Sequence, residues 1–452
     1  MSLAGKIGKN TGIKYAQSIA NIIFGALAGY VTLRYLTVPQ FGAFALALSF
    51  AWVVLPWIDL GISQVVVADA AGYFGRKEMD KVKRLFRGFT FLKLFFGAIV
   101  AIAGLIFSFF LKYDAQFILL LRLSAIFVFI QCVRSIVITV FESFSRFFYS
   151  AVLNILESFF KLAAIFVFIF LLKMQAEGVI LSYIFSTFLA IVFSLPFFIK
   201  VILPFRKIIT SPEPIFKKLI FEHGKFQAFS QPIKALSDNF QLWYIGWSLN
   251  TSAVGLYRLA SQLFNYISLL PAVSESVLMP IFSEEMGSRP GKTGFIVQRV
   301  SKYLFWLSVP LTLGGFFAVP PVLYFLFGTK YNAAMPVFYM MLISLPAIAL
   351  GTSLRPAFFA FKDQKTILKI HLWTIFVSYP IAILCSLRWG LLGFSVVAPV
   401  SAASSLFFRI YYLRKRISGP IFTVKSFFSF DRYDSLLARR IFFAIKNKKL
   451  IS

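Results

Sequence analysis

Residues 237–283 read SDNFQLWYIGWSLNTSAVGLYRLASQLFNYISLLPAVSESVLMPIFS, two long apolar runs joined by the short polar loop Asn250-Thr251-Ser252-Ala253. A glycine and an aromatic residue open the second run, in Val254-Gly255-Leu256-Tyr257-Arg258-Leu259-Ala260. The same device stands near the N-terminus as Phe41-Gly42-Ala43-Phe44-Ala45-Leu46-Ala47, again after an apolar run and a short loop, Leu36 to Gln40. Glycine, aromatic, leucine and alanine fall at matching offsets in both. Two helical hairpins in corresponding places predict a chain built of two related halves, a plan that membrane transporters use.

The rest of the composition agrees with a membrane chain. Of 452 residues, 59% are hydrophobic and 14% charged, and 58 are phenylalanine; soluble chains carry about 45–50% and about 25%. Runs of roughly 20 apolar residues, enough to cross about 30 Å of hydrocarbon, recur along the whole length. The expected fold is therefore an all-α integral membrane bundle of about twelve transmembrane helices, in two six-helix lobes related by a pseudo-two-fold internal repeat. The predicted cores are 14–36, 41–66, 89–111, 117–140, 148–172 and 178–199, then 226–249, 254–282, 303–327, 333–360, 367–387 and 390–412. Residues 1–200 form the expected N-terminal lobe, 201–225 a cytoplasmic linker with Pro204, Pro212 and Pro214, and 226–412 the C-terminal lobe. A basic tail, 413–452, follows.

The formal net charge of +29 is explained by topology rather than by nucleic acid. Alternate loops are basic: Arg76, Lys77, Lys81, Lys83, Arg84 and Arg87 after the second span, and Lys200, Arg206, Lys207, Lys217, Lys218 and Lys225 after the sixth. The opposite loops are short and hold mainly Lys112, Lys173, Lys330 and Arg388. Such a bias places the basic side, and with an even span count both termini, in the cytoplasm of a multi-pass cell-membrane protein. Cys132 and Cys385 lie in apolar runs and indicate neither a disulfide framework nor a metal cluster. With only His223 and His371, and outer loops of a few residues, no enzyme and no cofactor are expected.

Charges inside spans are the useful list, because each costs at least ~2.5–3.5 kcal/mol in hydrocarbon. Glu157–Lys161 and Lys234–Asp238 stand four residues apart, where each pair can neutralise itself on one helix face. That leaves Arg34, Arg122, Arg134, Arg258 and Arg355 against Asp59 and Glu275. Residues near span ends, such as Arg34, Arg122 and Arg258, can snorkel to the headgroups. Arg134 lies deepest, with no acid four residues away. A basic cavity suits an anionic cargo, and guanidinium is the bidentate partner of phosphate oxygens. Arg134, Arg258, Arg355, Arg122 and Arg34 are thus the expected cargo-binding set, and Asp238, Lys234, Asp59 and Glu275 the candidates for ion coupling.

Several short motifs resemble one family in order and spacing. Gln40-Phe41-Gly42-Ala43-Phe44 opens the second span and Asp59-Leu60-Gly61-Ile62 closes it. Asp238, Val254-Gly255-Leu256-Tyr257-Arg258-Leu259-Ala260, Met279-Pro280-Ile281-Phe282-Ser283 and Phe327-Gly328-Thr329-Lys330-Tyr331-Asn332-Ala333-Ala334 follow in the second half. Over roughly residues 8–415 the chain resembles the polysaccharide (O-antigen type) flippases of the multidrug/oligosaccharidyl-lipid/polysaccharide exporter superfamily. The resemblance implies movement of a polyprenyl-pyrophosphate-linked oligosaccharide from the inner to the outer leaflet by alternating access, with cavity arginines holding the pyrophosphate. It implies the lipid bilayer and other polysaccharide-assembly proteins as partners. Two alternatives stand beside it: a cation-coupled multidrug antiporter of the same superfamily, and a non-transporting scaffold of polysaccharide assembly. Antiporters keep an acid in the first span, and this chain has none there.

The charge bias makes a direct prediction. Reporters fused after Arg84, Lys218 or Arg416 should read cytoplasmic, and reporters at Lys173 or Lys330 external; two reversals among these would undo the twelve-span topology.

Overall fold

The computed structural model describes residues 3–205, 208, 225–288, 293–361 and 363–415. Side chains are described from residue 12 on, except at 225–230, 270, 272–288, 293, 295–296, 359–360 and 364. Most of the expected linker, the tail beyond residue 415, and the side chain of Glu275 lie outside the described residues.

The described residues form fourteen α-helices and no strand. These are α1 (Leu3–Tyr35), α2 (Val38–Asp59), α3 (Ile62–Gly75), α4 (Met79–Ser108), α5 (Ala115–Ser143), α6 (Phe147–Phe166) and α7 (Ala176–Ile202). The second half holds α8 (Lys225–Ser248), α9 (Thr251–Ser288), α10 (Thr293–Phe327), α11 (Met335–Leu342), α12 (Leu345–Ala360), α13 (Gln364–Ser395) and α14 (Val397–Arg414). The short α3 continues the second span beyond a break. The α11–α12 pair is bent by 44° at Ile343–Ser344, just ahead of Pro346. With those pairs merged, the helices fall into twelve segments at the twelve predicted spans. Eight helices are long and apolar enough to cross a membrane, and the bent pair makes a ninth. The remaining three, α8, α9 and α14, do not pass on length and hydropathy among the described residues.

Local chemistry explains where the helices start and stop. Thr37 caps α2 with a capping box: its hydroxyl accepts from the Gln40 amide at 3.4 Å, and the Gln40 side chain accepts from the Thr37 amide at 3.0 Å. Pro39 sits in the first turn, where its missing N–H costs nothing. Asn250 does the same for α9, its side chain accepting from the Ala253 amide at 2.8 Å. At the other end of α2, Leu60 (φ 46°) and Gly61 (φ 71°) are both left-handed, which turns the chain into α3. Gly390, at φ 54°, interrupts α13 close to the predicted boundary between the last two spans.

The chain forms two compact units. The first takes residues 1–262, 320–338 and 386–394, and the second takes 263–319, 339–385 and 395–452. The first unit reaches past the expected lobe boundary into α8 and the start of α9 because both pack on α2. Trp243 donates its indole N–H to the Ser49 hydroxyl at 2.7 Å. Above all, the two matching glycines meet. A Cβ on Gly42 would lie 1.7 Å from the Thr251 carbonyl oxygen, and one on Gly255 would lie 2.5 Å from the Val38 carbonyl oxygen. Val38 and Thr251 are the first residues of α2 and α9, each four before its own glycine. Each glycine therefore faces the same carbonyl of the other helix, the reciprocal contact that a two-fold repeat produces. Only a residue without a Cβ allows this approach. At the opposite end of α2, Ile62, Val66 and Ala70 of α3 are buried with Val82, Leu85 and Phe89 of α4, Ile136 of α5, and Phe205.

Because the obstructing atoms at Gly42 are backbone, they cannot swing aside. Gly42→Ala should lower the stability of the purified protein by about 1–3 kcal/mol or more, read as a fall in its thermal unfolding midpoint. Gly72→Ala, where nothing lies within 4 Å, should not destabilise.

Candidate functional site

Within the first unit, five helices line a partly open polar cavity of about 180 Å³. Asn21 comes from α1, Trp52 from α2, and Tyr183 from α7. Helix α5 presents Phe127, Gln131 and Arg134, spaced four and three apart, and α6 presents Asn154, Glu157, Ser158 and Lys161 at the same helical period. Both faces are polar stripes in otherwise apolar helices. They lie far from the helix ends, at membrane depth.

The stripes are tied together by charge. Arg134 Nε lies 2.6 Å from Glu157 Oε2. One terminal nitrogen of Arg134 donates to Gln131 at 3.3 Å and the other to the Asn154 side-chain oxygen. Glu157 Oε1 also accepts from Gln131 at 3.2 Å and from the Thr187 hydroxyl at 2.8 Å. The expected self-neutralising pair Glu157–Lys161 is thus not formed, and Arg134 is not a lone cation. The guanidinium of the neighbouring helix reaches the carboxylate directly and brings more donors, so it displaces the lysine four residues along. Lys161 instead holds its ammonium 4.7 Å from the centre of the Tyr183 ring. No carboxylate among the described residues lies within ion-pair distance of it.

Among the described residues, the other expected ones do not appear in the lining of this cavity. Arg122 donates to the Ser108 hydroxyl at 2.9 Å and covers the Phe109 ring, closing the end of α4. Arg34 donates to the Leu326 carbonyl at 2.7 Å, at the end of α10. Lys330 answers at the end of α1, donating to the Leu33 and Leu36 carbonyls, with Tyr331 donating to Leu33 at 3.1 Å. Arg258 is half-buried on α9, and Arg355 half-buried on α12 in the second unit. Lys234 and Asp238 stand one turn apart on the exposed side of α8. Asp59 forms an ion pair with Lys93 and accepts from Ser63.

Lys93 was not among the expected span charges, although it is only 3% exposed and sits inside the third predicted span. Its neighbouring basic loop hides it in the sequence. The available signal was Asp59 itself: an acid inside a span with no partner four residues away needs a cation from another helix. Trp52, Tyr183, Gln131 and Asn154 escaped because neutral residues carry no charge signal.

The family model for polysaccharide biosynthesis proteins matches residues 7–286, more than half of the chain. This chain belongs to that family. The teichuronic acid biosynthesis protein TuaB of Bacillus subtilis (strain 168) is 29% identical over 129 residues, covering 28% of this chain and 26% of TuaB. The match thus spans about a quarter of that relative's length. Among solved structures, an inward-facing multidrug-resistance MATE transporter of the MOP superfamily aligns with a TM-score of 0.77 at 13% identity, over 87% of this chain and 94% of that one. The lipid II flippase MurJ in an inward closed conformation aligns at 0.68 and 15% identity, over 97% and 94%. These likenesses establish the fold: the family member has the helical architecture of MOP-superfamily transporters.

The Arg134–Glu157 pair makes a testable claim of its own. Arg134→Met should destabilise the protein by about 3 kcal/mol, the low end for a buried pair because the two side chains keep 23% and 16% exposure. Arg134→Met combined with Glu157→Gln should recover most of that loss, since no unpaired carboxylate then remains. Thermal unfolding of the two purified variants decides it.

Proposed function

We propose that this protein is a flippase that carries a polyprenyl-pyrophosphate-linked oligosaccharide from the inner to the outer leaflet of the cell membrane by alternating access. The observation that carries this reading is the cavity lined by Trp52, Tyr183, Asn21, Gln131, Asn154 and Lys161 inside a helical bundle of this family. Aromatic faces cover the apolar C–H faces of a sugar ring, while amides and hydroxyls satisfy its hydroxyl groups. Polar groups at membrane depth are costly, so a lining this rich in them supports a binding role beside the tether it forms. The family description, polysaccharide biosynthesis, and the name of TuaB, a teichuronic acid biosynthesis protein, support the same class of cargo.

The cation-coupled antiporter is less well supported by the same geometry. An exchange site needs a carboxylate that a proton or Na⁺ can occupy and leave. Glu157 is held by Arg134, and Asp59 by Lys93, so these two carboxylates of the first half already have a tethered cation. Arg258 and Arg355, on the second-half helices, remain proposed contacts for the pyrophosphate, and both termini are proposed to be cytoplasmic.

Reconstitution separates the readings. Proteoliposomes containing the purified protein should transfer a fluorescent polyprenyl-pyrophosphate-linked oligosaccharide between leaflets, whereas a scaffold would not. Arg258→Ala should slow that transfer about tenfold or more, with Arg258→Lys recovering only part, because a point charge replaces a bidentate fork. Lys173→Ala, in a short loop, should transfer at the original rate.

A further inference from the structure

The cavity between α1, α2, α5, α6 and α7 carries one positive charge more than its residues neutralise. Arg134 and Lys161 are cationic, and Glu157 is the one carboxylate in its lining. Arg134 and Glu157 neutralise each other as an ion pair at 2.6 Å, with Gln131, Asn154 and Thr187 hydrogen-bonded around them. The surplus therefore resides on Lys161, whose ammonium has the Tyr183 ring 4.7 Å away and no carboxylate within ion-pair distance among the described residues. Lys161 lies fourteen residues past Phe147 and ten before Leu171, near the middle of the helical span Phe147–Leu171, so its ammonium is far from the headgroups on both sides. A ring face offsets part of the cost of such a charge but not all of it. Protein design of this kind leaves room for an anion.

Size and charge narrow the anion. A cavity of about 180 Å³ is on the scale of one sugar ring. A single surplus charge in a low-dielectric site is matched by a single negative charge. A sugar carboxylate supplies one; a pyrophosphate diester brings about two, and would leave one unmatched here. The lining also includes the rings of Trp52 and Tyr183, which suit a sugar face and do nothing for a phosphate. We infer that this cavity binds an acidic sugar residue of the cargo, a uronic acid, with its carboxylate on Lys161, so that Lys161 selects for anionic saccharides. The inference rests on the flippase reading and adds the class of sugar.

The test compares two synthetic cargoes on the same polyprenyl-pyrophosphate carrier, one with a glucuronic acid and one with a glucose at the same position, in proteoliposomes of the full-length protein. The original protein should transfer the acidic cargo faster, and Lys161→Met should cut the acidic-to-neutral rate ratio about tenfold or more, as expected for loss of a charge-assisted contact. Lys161→Arg, which keeps the charge should the methionine variant fold poorly, should retain the preference. Equal transfer of both cargoes by the original protein overturns the acidic-sugar assignment while leaving the flippase reading intact. Transfer of neither cargo overturns both. A binding measurement supplies the second arm: methyl glucuronoside, methyl glucoside and inorganic pyrophosphate are titrated calorimetrically against the purified protein. Binding of the glucuronoside that disappears in Lys161→Met supports the assignment; a Lys161-dependent pyrophosphate signal without one for the glucuronoside makes the cavity a carrier-phosphate site and overturns it.

Discussion

Hydrocarbon offers a charge nothing, so every ionised side chain at membrane depth has to find its counter-charge within the protein. This constraint organises the N-terminal half. Arg134 of α5 reaches Glu157 of α6, and Lys93 of α4 reaches Asp59 at the end of α2. Both pairs join separate helices, so each neutralises its charges and also fixes which helix faces meet. The bonds around them extend the tether: Thr187 brings α7 onto Glu157, and Ser63 brings α3 onto Asp59. Lys161 stands out against this background because its companion is a ring rather than a carboxylate.

Helix ends obey the same rule in a weaker form, since the last carbonyls of a helix have no partner within it. Arg34 closes the end of α10 while Lys330 and Tyr331 close the end of α1, an exchange of cations between two helix C-termini where positive charge is favoured. Arg122 likewise sits at the end of α4, donating to the hydroxyl of its last residue, Ser108. Three cations that read as cargo ligands by type and depth are therefore distributed differently by geometry: Arg34 and Arg122 finish helices, and Arg134 holds a carboxylate. The cavity draws its character from residues around that pair rather than from free guanidiniums.

Close backbone approach is the second device. Gly42 and Gly255 each face a carbonyl of the other helix, at distances that admit no side chain. This contact seats α9 on α2 and explains why the first compact unit includes the first helices of the second half. It also turns a sequence similarity between two hairpins into a physical relation between them: the matched positions are the ones that touch.

Much of this was legible in the chain itself. Apolar runs of crossing length determined the helical membrane class and the approximate spans, because length and hydropathy are local properties that the bilayer reads directly. The repeated Gly-aromatic openings pointed to two related hairpins, and the short motifs in their order pointed to the family. Pairing was decided by the tertiary structure alone. Whether Glu157 answers Lys161, one turn along its own helix, or Arg134, from the next helix, depends on how α5 and α6 rotate against each other. That rotation follows from the packing of all five helices around the cavity, which no periodicity within one span records. For the same reason Lys93 was hidden, and Trp52, Tyr183, Gln131 and Asn154 became one site only when their helices were brought together.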